Sequence, residues 1–164
     1  MNKVILLECL TEFSKEATKD ILLPVSVQNE NECKKEKCAD VYKMRLPDSK
    51  SAKKKAPYII HAVLTGADEQ KEGCPDYSQT VIRSIFCVYH FDEQEGALAL
   101  LNLMERMRIE LLKKRVIGNQ FELDIDTAKL EMLIYPDNTA PYFAGEMVSC
   151  WRMPSVKREV SLDF

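Results

Sequence analysis

From Lys3 to Leu22, apolar residues recur every three or four positions. Leu6, Leu10, Phe13, Ala17 and Ile21 are separated by Glu, Lys and Asp. That period places them on one helical face, so a first helix is predicted over 3–22, ended by Pro24. A polar, lysine-rich arm follows over 25–55. Within it "DVYKMRLP" sets Val41, Lys43 and Arg45 against Tyr42, Met44 and Leu46. Such alternation predicts a half-buried edge strand over 41–46, closed by Pro47. "PYIIHAVLTG" predicts a strand ended by Gly66. The polar stretch Ala67 to Ser78, with Gly73 and Pro75, predicts a long mobile hairpin loop. "TVIRSIFCVYHF" has the β-branched and aromatic content of a buried strand.

The best helical pattern covers 94–115. Leu100, Leu101, Leu103, Met104, Met107, Leu111 and Leu112 form its apolar stripe, with Asn102, Arg106 and Lys113 opposite. Leu98 and Ile109 fall outside that stripe and near one line, at about 100° per residue. Val116 to Gly118 is expected to form a C-terminal cap region. "FELDIDTAKLEMLIYP" predicts a strand or bent strand pair, with Asp124 and Asp126 on a solvated face. "DNTA" turns the chain into a last strand, "APYFAGEMVSCWRMP". Phe143, Met147 and Trp151 are four residues apart there and share one sheet face. They are expected to anchor the core against Leu100, Met104 and Met107. The fold class is therefore α+β: an antiparallel sheet of about four to five strands with two helices packed on one face. One domain is expected over 1–164, with its core at 56–154 and a polar tail at 155–164.

Charge narrows the functional classes. The net charge is −3 and the isoelectric point about 5.5, which argues against a nucleic-acid binder working through a basic surface. The lysine loop "DSKSAKKKA", with Lys50, Lys53, Lys54 and Lys55, lacks interleaved aromatics and reads as a solvated loop. No apolar run reaches membrane-spanning length, and the start lacks the pattern of a cleavable signal peptide. The six cysteines, Cys9, Cys33, Cys38, Cys74, Cys87 and Cys150, are accordingly expected to be reduced thiols. Cys33 and Cys38 have the spacing of half a zinc site, but no histidine pair completes it. His61 and His90 are candidate bases, and Asp92 and Glu93 follow His90. No nucleophile, base and orienter assemble in the sequence. No catalytic residue, metal or cofactor is assigned. A small enzyme or ligand-binding protein with a site near His90 is the alternative reading.

Three stretches carry a resemblance: "YKMRLPDSKSAKKKAPYIIHAVLTG", "TVIRSIFCVYHFDEQEGALALLNLMERMRIELLKKRVIG" and "LIYPDNTAPYFAGEMVSCWRMPSVKRE". They resemble the tail terminator (tail completion) proteins of long-tailed phages and prophages of Gram-positive bacteria, over about 41–159. The resemblance implies an α+β subunit without a catalytic site. It implies a hexameric ring of identical subunits that caps the tail tube protein and meets head–tail connector proteins. DNA would pass through without specific binding. It also implies a place in the virion, at the tail–head junction, after synthesis in the host cytoplasm. The candidate interface residues are Leu98 and Ile109 on the outer helix line and Tyr42 and Met44 on the edge strand. A monomeric tail-assembly accessory protein is the other alternative.

Overall fold

A computed structural model describes residues 2–26, 36–47 and 55–159. Cys33, Lys50, Lys53 and Lys54, named above, lie outside the described residues. The first helix, α1, runs Lys3–Thr18, and the Asn2 side chain caps it by accepting from the Ile5 amide at 3.1 Å. It is four residues shorter than the apolar period suggests. Its buried face is also turned from the predicted stripe. Leu6, Leu7, Leu10, Thr11, Ser14 and Thr18 are buried, while Phe13 and Ala17 are only partly so. Hydroxyls go inside because Thr11, Ser14 and Thr18 each donate to the carbonyl four residues back, which removes the cost of burying them.

After α1, β1 (Leu23–Pro24) and β2 (Glu36–Lys37) form a separate two-stranded ladder. Then come β3 (Asp40–Lys43), β4 (Tyr58–Glu69), β5 (Tyr77–Tyr89) and the second helix, α2 (Glu93–Lys114). Asp92 caps α2 by accepting from the Glu95 amide at 2.9 Å. Two short strands follow, β6 (Val116–Ile117) and β7 (Phe121–Leu123), then β8 (Glu131–Ile134) and β9 (Tyr142–Arg152).

Among the described residues, seven strands make one sheet, in the order β3-β4-β5-β9-β7-β6, with β8 also on β9. The fold is α+β, as the element order predicts, but the sheet is larger than four to five strands. Val116 to Gly118 is a strand and turn, not a helix cap. Gly118 and Asn119 both take positive φ, 57° each, and fold β6 onto β7. The expected hairpin loop at 67–78 is there but shorter, 70–76, because both of its ends are strand. β4 runs through Gly66, and Ala67, Asp68 and Glu69 pair with Gln79, Ser78 and Tyr77. Polar side chains misled the reading there because this end of the hairpin is solvated on β4 while the ladder continues. The predicted edge strand at 41–46 is β3, ending at Lys43. Met44 has φ 67° and turns the chain away, so Leu46 lies in a packed cluster rather than on a strand.

All pairings in the large sheet are antiparallel except β3 with β4, which is parallel. β9 uses one edge entirely for β5. It shares the other between β8, at Gly145–Val148, and β7, at Trp151–Arg152. Both helices lie on one face. The main core there joins Leu6, Leu10, Ile59, Ile82, Phe86, Leu100, Met104, Met107 and Trp151, among others. Glycines let α2 approach β9. A Cβ on Gly96 would strike the Phe143 ring, and one on Gly145 would lie 2.9 Å from Met104 Sδ and 2.8 Å from the Leu133 carbonyl oxygen. The opposite face carries a smaller cluster of Leu46, Ala56, Tyr58, Ile60 and Cys87, edged by Tyr42, Tyr89 and Tyr142.

Candidate functional site

The histidines were the first candidates for chemistry, and the fold uses both for structure. His61, on β4, is fully buried between α1 and β5. Its Nε2 lies 2.7 Å from Ser14 Oγ and its Nδ1 2.7 Å from Ser84 Oγ. The hydroxyl proton of Ser14 is committed to the Leu10 carbonyl at 2.7 Å, so Nε2–H must donate to Ser14 and Nδ1 must accept from Ser84. That fixes the neutral tautomer. Burial pushes the pKa of His61 down to about 3. The ring is a polar rivet joining α1 to the sheet. His90 stands at the entry to α2, where its Nδ1 accepts from the Asp92 amide at 3.0 Å and its ring stacks on Phe91 at 4.9 Å.

The acidic pair at β7 is also structural. Asp124 is buried, which corrects its reading as a solvated strand residue. Its Oδ1 accepts from the Asp126 and Thr127 amides at 3.1 and 3.0 Å and from Arg152 at 3.2 Å, and its Oδ2 accepts from the Thr127 hydroxyl. Burial alone would raise its pKa, but the Thr127 hydrogen bonds and Arg152 outweigh burial and hold it below the usual carboxylate value. Among the described residues, no group of three or more His, Cys, Asp or Glu side chains is placed to hold a metal.

What remains is surface. Leu98 is 52% exposed and Ile109 38% exposed on the outer face of α2, and Met44 is 51% exposed beyond β3. Tyr42 is different: it is half-buried, edge-on to Tyr58 with ring centroids 6.5 Å apart. These four residues therefore divide between two places, the back of the helix layer and one end of the sheet. The anchors Trp151, Phe143 and Met147 are buried in the core of the helix-side face, and Trp151 Nε1 donates to Ser149 Oγ at 2.9 Å. Leu101, placed in the core stripe by its period, is 37% exposed.

No protein-family model matches this chain, and no curated protein matches it.

Two exposed apolar residues escaped sequence reading. Leu133 and Ile134 on β8 are 51% and 39% exposed, beside an edge that no other strand pairs among the described residues. The only signal was the short apolar run "LEMLIY", which suits a buried strand equally well. Between α1 and α2 there is also an open groove of about 940 Å³, lined by Glu8, Glu12, Phe13, Glu16, Arg106 and Lys114 among others. Arg106 bridges it, donating to the Ala17 carbonyl at 3.2 Å and to Asp20 at 2.7 Å. No described helix is long and apolar enough to cross a membrane.

Proposed function

We propose that this protein is a structural component of a phage tail, a tail terminator or closely related head–tail joining protein acting as a ring of identical subunits. The observation that carries this reading is that β3 and β8, four-residue strands of unlike sequence on opposite sides of the β4-β5-β9 ladders, each leave one edge unpaired among the described residues; the two-residue β6 ends the sheet beyond β7. Open edges invite pairing with another chain. Two unlike edges on one subunit suit a heterologous contact, which repeats and closes into a ring. The sequence resemblance to tail terminators supports the same reading. So does the acidic chain, which suits a lumen that lets DNA pass without gripping it.

The contacts between subunits use the sheet edge near Tyr42 and Met44 and the outer line of α2 at Leu98 and Ile109. Each contact buries about 1,200 Å² or more in total. The double variant Leu98→Glu with Ile109→Glu tests this. Both residues are exposed, so the monomer should keep its circular dichroism and melting profile. Multimers in sedimentation, and head–tail joining in particle assembly, should be lost. Normal infectious particles from the double variant would remove this surface from the interface. Wild-type protein that stays monomeric even on purified tails would favour the accessory-protein reading.

A further inference from the structure

The strand directions and side-chain parity of the β3 and β8 edges make them complementary. We propose that β8, together with the free flank of α2 beside it, pairs antiparallel and head to tail with the β3 edge of a second copy of this chain. This deepens the ring reading above by naming the second half of the contact.

β5 and β8 run one way, and β9, β4 and β3 the other, because β3 alone lies parallel to its neighbour. When the sheet is continued into a second copy with its helices on the same side, β3 of that copy meets β8 running the opposite way. The lone parallel pairing inside the subunit thus makes the junction between subunits antiparallel, the stronger ladder. The two strands are of equal length, four residues each.

α1 covers the β3–β4 end, with Ser14 on His61 and Lys43 Nζ 3.9 Å from Glu8. α2 covers β9, as the contacts at Gly96 and Gly145 show. α1 meets α2 on the side of Arg106 and Lys114. The opposite flank of α2, about 160° away by helical geometry, presents Leu101 and Leu112, with Leu98 further round. This flank faces the β8 side, where the helix layer stops. Met132 and Ile134 are opposite Met147 and Gly145 in register and so face the helix side, with Ile134 left 39% exposed. In a continued sheet, α1 of the second copy takes the empty place beside that flank. The β3 edge supplies the counterpart, a groove of about 660 Å³ between α1 and β3 that runs along Cys38–Tyr42.

Val41 and Lys43 lie on the helix side, since Val41 packs on the main core and Lys43 reaches Glu8; Tyr42 lies on the other. Antiparallel partners point to the same face, so Ile134 belongs opposite Val41 and Leu133 opposite Tyr42. That register makes these two pairs apolar, sets Met132 opposite Lys43, and brings Glu131 past the end of β3 toward Arg45. Around β3, Lys37, Lys43, Arg45 and Lys55 outnumber Glu36, Asp40 and the Glu8 that Lys43 faces. Around β8, Asp126, Glu131 and Asp137 outnumber Lys129 and the Arg152 that meets Asp126. Like edges repel and unlike edges attract, so the occupant of the β8 edge is the β3 edge of another copy, not a second β8.

The test uses full-length protein and two exposed positions, Ile134→Lys and Met44→Lys. Each variant alone should be monomeric in sedimentation, while a 1:1 mixture should give heterodimers, because each brings one intact edge. Glu131→Lys alone and Arg45→Glu alone should each weaken self-association by about tenfold, and the two together should restore most of it. Self-association lost in Ile134→Lys but intact in Met44→Lys would mean β8 pairs with itself and would overturn the proposal. So would a mixture that stays monomeric, or wild-type protein that is monomeric at its highest soluble concentration. A closed ring that assembles equally well from all four variants would sink the edge pairing yet leave the ring reading standing.

Discussion

His61 illustrates how one buried polar side chain couples stability to pH. Its folded pKa, about 3, lies below the ordinary 6.5. Between those values the unfolded chain binds a proton that the folded one does not. The contribution of His61 is therefore fully present above pH 6.5 and is lost as pH falls toward 3. The slope is about 1.4 kcal/mol per pH unit inside that window. Urea unfolding of wild type and His61→Gln between pH 4.5 and 7.5 checks this. The wild type should lose stability relative to the variant as the medium is acidified, and parallel curves would refute the buried neutral ring. Trp151 is a different kind of residue, fully buried beside Leu123 and Thr80 in register. Trp151→Ala should cost about 3–5 kcal/mol, measured as a drop in the urea midpoint. A variant that folds normally but no longer associates would make Trp151 an interface residue instead.

Elements meet here at backbone distance, and the two glycines of the α2–β9 contact should respond differently to a methyl group. The nearest atoms to the Cβ of Gly96→Ala would all be in the Phe143 ring. Trimming that ring with Phe143→Leu should recover part of the loss, about 1–3 kcal/mol for overpacking. The Cβ of Gly145→Ala would meet the Leu133 carbonyl oxygen, which is backbone of β8, as well as Met104. Met104→Ala should not rescue it, because the strand itself must shift. Thermal melts of the two single and two double variants distinguish the cases. If Met104→Ala rescues Gly145→Ala as well as Phe143→Leu rescues Gly96→Ala, the β8–β9 contact is looser than described.

For the molecule as a whole, the thiols report on compactness. Cys38 and Cys74 are exposed, Cys9 is half-buried, and Cys87 and Cys150 are buried. Burial also pushes the Cys150 thiol pKa up, which slows its reaction further. Titration without reductant should show Cys38 and Cys74 reacting fast and Cys87 and Cys150 only after unfolding. The denatured chain should yield all six thiols of the sequence. Fewer than six would reveal a bridge and overturn the reduced-thiol expectation. Fast modification of Cys150 in the folded protein would contradict the packing of β9. Assembly adds a second readout, since Cys38 borders the β3 edge and should be protected in multimers that use that edge.

Local pattern determined the helices, the strong central strands and the face shared by Phe143, Met147 and Trp151, because periods of 3.6 and 2 are written directly in residue order. It also marked Leu98 and Ile109 as surplus to the core stripe. Tertiary structure decided the rest. The hydroxyl face of α1 reads as polar in sequence. It is buried because each hydroxyl finds a carbonyl in its own helix, and because Ser14 meets a histidine 47 residues away. β6 is too short to show a period and exists only through its partner, whereas β7 and β8 fall within "FELDIDTAKLEMLIYP", where the pattern predicts a strand or bent strand pair. Asp124 is buried because Arg152 and Thr127 reach it. Which strands end up at the edges, and that β3 runs parallel while its neighbours do not, follows from how distant segments pair. No local pattern contains that, because a strand has the same alternation whether its hydrogen bonds are met on both sides or left open on one.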